Sequence, residues 1–323
     1  MKQNIILAIC GSQIDYLREI LKRLSGIFGL TEKNPEQFMN MDQTSFLIPI
    51  THESELEKLK NHKHVYSIFL KRPASGIRKT EKSFRMKFDY QILDEGDLQK
   101  TFAQIAGIIF QDILGNTVTA IDGTAGSGKG TYGKMLGEHY GGIHIDSGLI
   151  YRHITYVLAI KNGLRHIHDQ IPKYLRSMEE DFNPKEMMEN EYALRSTRVD
   201  KLVSNWSQIK EVRESVFWLL MRSYASGKNH IIAEGRDMTT HVFPRAQHKF
   251  FVDCPIEIRA ERRAIQRNIK DVKCMTQSLK KRDSDDMNRK LKPLVFKPEC
   301  GVIKIENVDP IQKTFDQILE HYK

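Results

Sequence analysis

Residues Thr117 to Thr131 read Thr-Val-Thr-Ala-Ile-Asp-Gly-Thr-Ala-Gly-Ser-Gly-Lys-Gly-Thr, and no other stretch limits the fold so tightly. Thr117 to Ile121 are β-branched or apolar, which suits a short buried strand. Glycines follow at Gly123, Gly126, Gly128 and Gly130. Glycine reaches positive φ without a Cβ penalty, so successive N–H groups can turn inward as a nest. The helix that starts near Lys129 adds its positive N-terminal end. The spacing is that of a phosphate loop, G-x-x-x-x-G-K. In such a loop Gly123, Thr124, Ala125, Gly126, Ser127, Gly128, Lys129, Gly130 and Thr131 wrap a nucleotide's phosphates, and the lysine ammonium reaches the β and γ groups. Gly130 holds the place usually given to Ser or Thr, with Thr131 next.

The loop begins well past residue 100 of a 323-residue chain. That length exceeds what one hydrophobic core usually supports, so two domains are expected: residues 1–115, a small α+β domain of unassigned function, and residues 116–323. The net charge is +9, and most of the excess lies beyond residue 116, where phosphorylated substrates account for it without nucleic acid. Cys10, Cys254, Cys274 and Cys300 show no C-x-x-C spacing, which argues against a metal site or a disulfide framework and for a reducing compartment. No apolar window is long enough to span a bilayer. The chain is expected to be a cytoplasmic monomer.

In the first domain Ile5 to Ile9, Phe46 to Ile50, Tyr66 to Leu70 and Phe84 to Ile92 read as strands. Leu17, Ile20, Leu21 and Leu24 have helical spacing, and a longer helix is expected over Asp97 to Leu114 with Asp97 as its N-cap. His52, His62 and His64 read as solvated. The basic group Lys71, Arg72, Arg78, Lys79 and Lys82 reads as an exposed loop.

Beyond the loop, strands alternate with helices, which predicts a doubly wound parallel sheet. Ile143 to Ile145 is a strand delivering Asp146-Ser147-Gly148 and, one turn into the next helix, Tyr151-Arg152. Residues 153–193 read as a helical insertion, and Ser196 to Arg222 as one long helical region. Ile231 to Ala233 is a strand ending in Glu234-Gly235-Arg236-Asp237. Ligands of open α/β sheets sit at the carboxyl ends of strands, so Asp146, Arg236 and Asp237 should fall near Lys129. Arg282, Asp286 and Arg289, spaced by four and three, share one helix face. An arginine-bearing helical lid over transferring phosphates is what phosphoryl transfer needs.

Taken in order, these segments resemble the cytidylate kinase family of P-loop nucleoside monophosphate kinases, from about Thr117 to the C-terminus. The resemblance rests on the glycine loop with its Gly-Lys-Gly-Thr ending and on Asp146-Ser147-Gly148 with Tyr151-Arg152. It rests further on Ser204 before Val212-Arg213, Gly235-Arg236-Asp237-Met238 with Val242-Phe243-Pro244, and Arg282-Asp283-Ser284-Asp285-Asp286-Met287-Asn288-Arg289 with Pro293-Leu294. It implies a P-loop NTPase-type parallel sheet flanked by helices, with a mobile lid and a nucleoside monophosphate-binding insert. It implies transfer of the γ-phosphoryl group of ATP, carried as Mg-ATP, to CMP or dCMP, with Lys129, Arg236, Arg282 and Arg289 catalytic. By the same resemblance Ser147, Arg152, Arg236 and Arg289 hold the CMP phosphate, Ser204, Arg213 and Asp237 read cytosine, and Arg282 with Asp286 binds ribose. Cytosine offers a donor at N4 and acceptors at N3 and O2, which a carboxylate, an arginine and a hydroxyl complement. Uracil presents an acceptor where Asp237 needs a donor. A kinase for another nucleotide such as UMP, or a nucleotide-binding regulator working through its N-terminal domain, are the alternatives.

Overall fold

The computed structural model describes residues 6–11, 14–32, 46–50, 65–71, 88–164, 170–183, 189–225 and 229–322, with single positions at 55, 57, 59 and 187. The chain divides into two compact units, Met1–Ile105 and Ala106–Lys323.

In the first unit β1 (Ile6–Gly11) is the middle strand of a five-stranded sheet. The other strands are β2 (Thr31–Glu32), β3 (Phe46–Ile50), β4 (Val65–Lys71) and β5 (Tyr90–Leu93), in the order β2-β3-β1-β4-β5. Among the described residues every pairing is parallel, so the unit reads as α/β and not as the expected α+β domain. The reason lies in β1. Leu7, Ala8 and Ile9 form an unbroken apolar run at 0–1% exposure, the mark of a strand covered on both faces. Helix α1 (Ile14–Phe28) buries Leu17, Ile20, Leu21 and Leu24 as their spacing requires. Asp97 accepts from the Lys100 N–H (3.1 Å) and so caps α2 (Leu98–Gly107), which widens into a π-helical segment at Ile108–Ile113. The histidines 52, 62 and 64, the basic group from Arg72 to Lys82 and the expected strand from Phe84 to Lys87 lie outside the described residues.

The second unit has five parallel strands, β6 (Thr117–Gly123), β7 (Ile143–Asp146), β8 (His230–Glu234), β9 (His248–Asp253) and β10 (Ile303–Glu306). Their order is β10-β9-β6-β8-β7, which puts β6 in the middle where the strand order reverses and opens a crevice at its C-terminal end. Helix α3 (Lys129–His139) follows β6 and α4 (Ser147–Thr155) follows β7. The insertion carries α5 (Ile171–Asp181) and the short α6 (Glu191–Leu194).

The expected long helix is broken into α7 (Thr197–Trp206) and α8 (Lys210–Tyr224). No proline or glycine does this. The Ser207 hydroxyl (2.9 Å) and the Gln208 amide (3.4 Å) both donate to the Ser204 carbonyl, and Arg213 Nη1 takes the Ser207 carbonyl (3.2 Å). These side chains compete with the helix ladder for the backbone carbonyls and end it.

Helices α9 (Ile256–Gln266) and α10 (Val272–Asn288) pack together. Ala125 of the glycine loop sits with Ala260, Met275 and Leu279 in one apolar cluster, fastening that helix pair to the loop. The closing helix α11 (Ile311–Glu320) covers the sheet through Phe315 and Ile318, which pack with Ile121, Leu136, Phe250 and Ile305.

Candidate active site

Strand β6 hands the chain directly to the glycine loop, and two glycines there have steric reasons. A Cβ on Gly123 would lie 2.0 Å from the Val252 carbonyl oxygen, so β6 and β9 approach closely only because that atom is missing. Gly128, the residue before α3, adopts φ 96°, and a Cβ there would meet Asn307 Nδ2 at 2.3 Å. Asn307, just past β10, donates to the Ser127 carbonyl (2.8 Å) and accepts from the Tyr132 hydroxyl (2.7 Å). The loop is therefore held from the far side of the sheet.

A cavity of about 950 Å³ opens in front of the loop. Gly126, Gly128, Lys129, Gly130 and Thr131 line it, while Gly123, Thr124, Ala125 and Ser127 do not. Ala125 is engaged elsewhere: its N–H donates to Asp283 (2.9 Å) and its carbonyl accepts from Arg259 (2.8 Å). Thr124 faces a separate hollow of about 410 Å³ beside Asp253 and Lys304.

Of the residues expected to hold an acceptor nucleotide, Ser147, Arg152, Ser204, Arg236 and Asp237 line the same cavity. Arg282, Asp286 and Arg289 complete its wall from α10 and the residue after it. Arg213 is the exception. It lies behind Asp237, Nη2 on the carboxylate, with its guanidinium 5.7 Å from the Tyr151 ring centroid.

Most of these cations are already paired. Arg236 Nε donates to Asp286 (2.7 Å) and Nη1 to the Gly123 carbonyl (2.9 Å), so the arginine after β8 is tied both to the lid helix and to the loop. Arg289 lies 3.6 Å from Asp286 and 3.8 Å from Asp237. Burial works to raise the Asp237 carboxyl, but Arg213 and Arg289 overcome it and hold the group below the usual carboxylate range. Asp286 is lowered in the same way, against burial, chiefly by Arg236.

Two cations behave differently. Burial, with Arg236 beside it, brings Lys129 down to about 7, and its ammonium donates to the Thr124 carbonyl (3.1 Å). Burial and the neighbouring Arg236 likewise bring Arg282 down to about 10. A dry cluster of like charges favours whatever anion relieves it.

Asp122 explains how Asp237 is aimed. Fully buried in β6, it accepts from the Met238 N–H (2.8 Å), the Thr239 N–H (2.9 Å) and the Thr239 hydroxyl (2.7 Å). These bonds fix the π-helical turn Met238–Val242 that starts immediately after Asp237. Burial raises the Asp122 carboxyl, and the Thr239 bonds offset part of that rise.

The chemistry of the donor set also fits a hard divalent cation. The Thr131 hydroxyl and the carboxylates of Asp146 and Glu234 line the cavity beside Lys129. Glu234 Oε2 lies 3.1 Å from where a Cβ of residue 130 would stand, so the glycine in place of the usual Ser or Thr lets the carboxylate reach the loop. Magnesium asks a protein for one or two such oxygens and fills its shell with water and phosphate.

Several residues that line the cavity or pair with its lining escaped the reading of the sequence. Arg195 donates to Asp146 (3.1 Å), Asp200 pairs with Arg152 and Arg267, and His144 Nε2 sits 3.1 Å from Glu234. The last had one available signal, since Gly133 at i+3 from Gly130 leaves the slot that the imidazole enters.

A parallel sheet with a phosphate-binding glycine loop at the end of its central strand, and an arginine-lined cavity before that loop, define a P-loop nucleotide-binding α/β protein. A family model described as cytidylate kinase matches residues 119–323. A cytidylate kinase of Clostridium botulinum (strain Loch Maree / Type A3) is 32% identical over 212 residues, 63% of this chain and 96% of that protein. A bifunctional pantoate ligase/cytidylate kinase of Prochlorococcus marinus (strain AS9601) is 32% identical over 219 residues, 64% of this chain and 42% of that protein. The chain thus spans about two-fifths of the length of such bifunctional relatives, 42%. The crystal structure of TT1252 from Thermus thermophilus aligns over 64% of this chain and 96% of its own at 15% identity and a TM-score of 0.35, and the family assignment rests on the sequence relatives alone. The chain belongs to the cytidylate kinase family.

Proposed function

We propose that residues 116–323 form a nucleoside monophosphate kinase domain that moves the γ-phosphoryl group of ATP to CMP, and to dCMP, giving CDP or dCDP and ADP. One observation carries this reading: four guanidiniums from three separate parts of the fold, Arg152 in α4, Arg236 after β8, and Arg282 with Arg289 in and just past α10, line the same cavity as Lys129. ATP lies with its phosphates on the loop amides and Lys129. The acceptor phosphate lies against Ser147, Arg152, Arg236 and Arg289, and its base against Ser204 and Asp237, with Arg213 fixing the carboxylate from behind. Arg282 and Asp286 hold the ribose. Magnesium, when bound with ATP, neutralises phosphate charge, and Thr131, Asp146 and Glu234 are the residues that would hold it.

No unusual base is needed, because the acceptor is already a phosphate anion. Catalysis consists of alignment and of charge placed where the transferring group develops it. The catalyst in this proposal is a monomer. The unpaired Cys254, Cys274 and Cys300 support a cytoplasmic setting. Among the described residues no helix is long and apolar enough to cross a membrane.

The test is an acceptor screen on the full-length protein with CMP, dCMP, UMP and AMP at fixed Mg-ATP. CMP and dCMP should be turned over at least about a hundredfold more efficiently than UMP, the discrimination expected when a buried polar group is left unpaired. Equal rates with UMP would remove Asp237 from the base-reading role.

A further inference from the structure

The α7 helix supplies Val203 and Ser204 to the cavity wall, and Asp200 stands one turn before Ser204 on the same face. Its carboxylate spans two guanidiniums from two other elements. Oδ1 lies 2.5 Å from Nη2 of Arg152 in α4, and Oδ2 accepts from Nη2 of Arg267, just past the end of α9. Arg152 is 4% exposed, and its Nη1 is committed to the Leu194 carbonyl (3.3 Å). The carboxylate therefore occupies a guanidinium terminus that an acceptor phosphate would need. The Asp200 pairs also join α7 to α4 and to the end of α9, which packs on the lid helix α10.

Two arrangements could account for such a contact. A strut would hold Arg152 in its working direction and stay in place when substrate arrives. A stand-in would occupy Arg152 only until a stronger anion came. The second fits the site better. Arg152 Nη1 is already fixed by Leu194 and its stem is buried, so it needs no carboxylate to be aimed. A phosphate dianion arriving at Arg152 would also be repelled by a carboxylate that stayed.

We propose that Asp200 sets acceptor affinity and selectivity: it is an internal anion that holds Arg152 and Arg267 in the free enzyme and is displaced by the acceptor's phosphate dianion. The inference rests on the assignment of Arg152 to the acceptor phosphate. A terminal phosphate carrying two charges outcompetes a single carboxylate. A nucleoside, or a phosphodiester with one charge, does not.

The experiment is steady-state kinetics of full-length Asp200→Asn, with the KM for CMP compared against the KM for ATP as internal reference. The KM for CMP should fall about three- to tenfold while the KM for ATP stays put, and Asp200→Glu, which restores the charge, should bring the CMP value back up. A rise or no change in the KM for CMP would make Asp200 a strut and overturn the proposal. So would failure of both Asp200→Asn and Asp200→Ser to fold, since the residue would then be a structural necessity. Arg152→Gln separates the two levels of the argument. If it leaves the KM for CMP unchanged, the assignment of Arg152 fails, whereas a large rise keeps that assignment and leaves the Asp200 variants to decide.

Discussion

The two units carry the same kind of sheet and very different strand ends. Each has five parallel strands with its first strand in the middle, and so each has a point where strand order reverses. In the second unit β7, β8, β9 and β10 all finish on a carboxylate, at Asp146, Glu234, Asp253 and Glu306, and β6 runs into the glycine loop. In the first unit β1, β3 and β5 finish on Gly11, Ile50 and Leu93, and only β2 and β4 finish on charged residues, Glu32 and Lys71. Equal topology with unequal chemistry at the strand ends teaches that architecture supplies a place for a ligand, while the side chains there set the chemistry a ligand would meet.

That contrast is broken most sharply at Lys129. Lys129→Ala should lower turnover by roughly 10²–10³-fold or more with the melting temperature little changed, as for loss of a preorganised charge in a dry site. A near-normal rate would mean the loop is only a turn.

The next effect is on stability. Asp237→Asn leaves Arg213 buried beside a neutral partner, and loss of one member of a buried pair costs about 3–5 kcal/mol. Denaturant unfolding should register that drop together with weaker discrimination between CMP and UMP.

A pH titration sharpens the comparison further. Lys129 in the free protein loses its proton near 7, the charged form is the one that binds phosphate, and bound phosphate raises the pKa. ATP binding should therefore take up a proton above pH 7 and weaken as pH rises, by up to about tenfold per unit. Calorimetry in buffers of different ionisation enthalpy would detect the uptake, and Lys129→Arg should flatten the slope.

The smallest expected effect belongs to the first unit. Ser67, between whose hydroxyl and N–H the Asp89 carboxylate is held at 2.7 Å each, joins β4 to the turn before β5. Ser67→Ala should cost about 1 kcal/mol of stability, the worth of one such hydrogen bond, and leave kcat for CMP untouched.

Much of the candidate site is legible in the sequence, and the reason is local. The loop, Asp146 with Ser147, and Arg236 with Asp237 are short runs attached to strand ends, so the chain's own order brings them together. Arg282 and Asp286 lie one turn apart on α10 for the same kind of reason, whereas Arg289, expected on that helix face, stands just past the helix end in extended backbone and still reaches the cavity. Asn307 and Asp200 were invisible because their meaning comes from partners 180 and 48 residues away, Ser127 and Arg152. The parallel pairing of the first sheet is not legible in strand-like runs alone, because direction is set by the crossovers between strands; Ser67, Ile68 and Leu70 of β4 are all buried, as in a strand covered on both faces. The break between α7 and α8 depends on Ser207, Gln208 and Arg213 taking backbone carbonyls, a competition that apolar periodicity does not register.

The central claim is that one cavity holds a donor and an acceptor with their phosphate chains end to end. Titration calorimetry with a bisubstrate ligand, cytidine and adenosine joined through an oligophosphate bridge, tests it directly. Binding should be one to one, tighter than ATP or CMP alone by more than tenfold, and competitive with both. Affinity no greater than that of ATP, with CMP still binding alongside, would place the two nucleotides in separate sites and contradict the account.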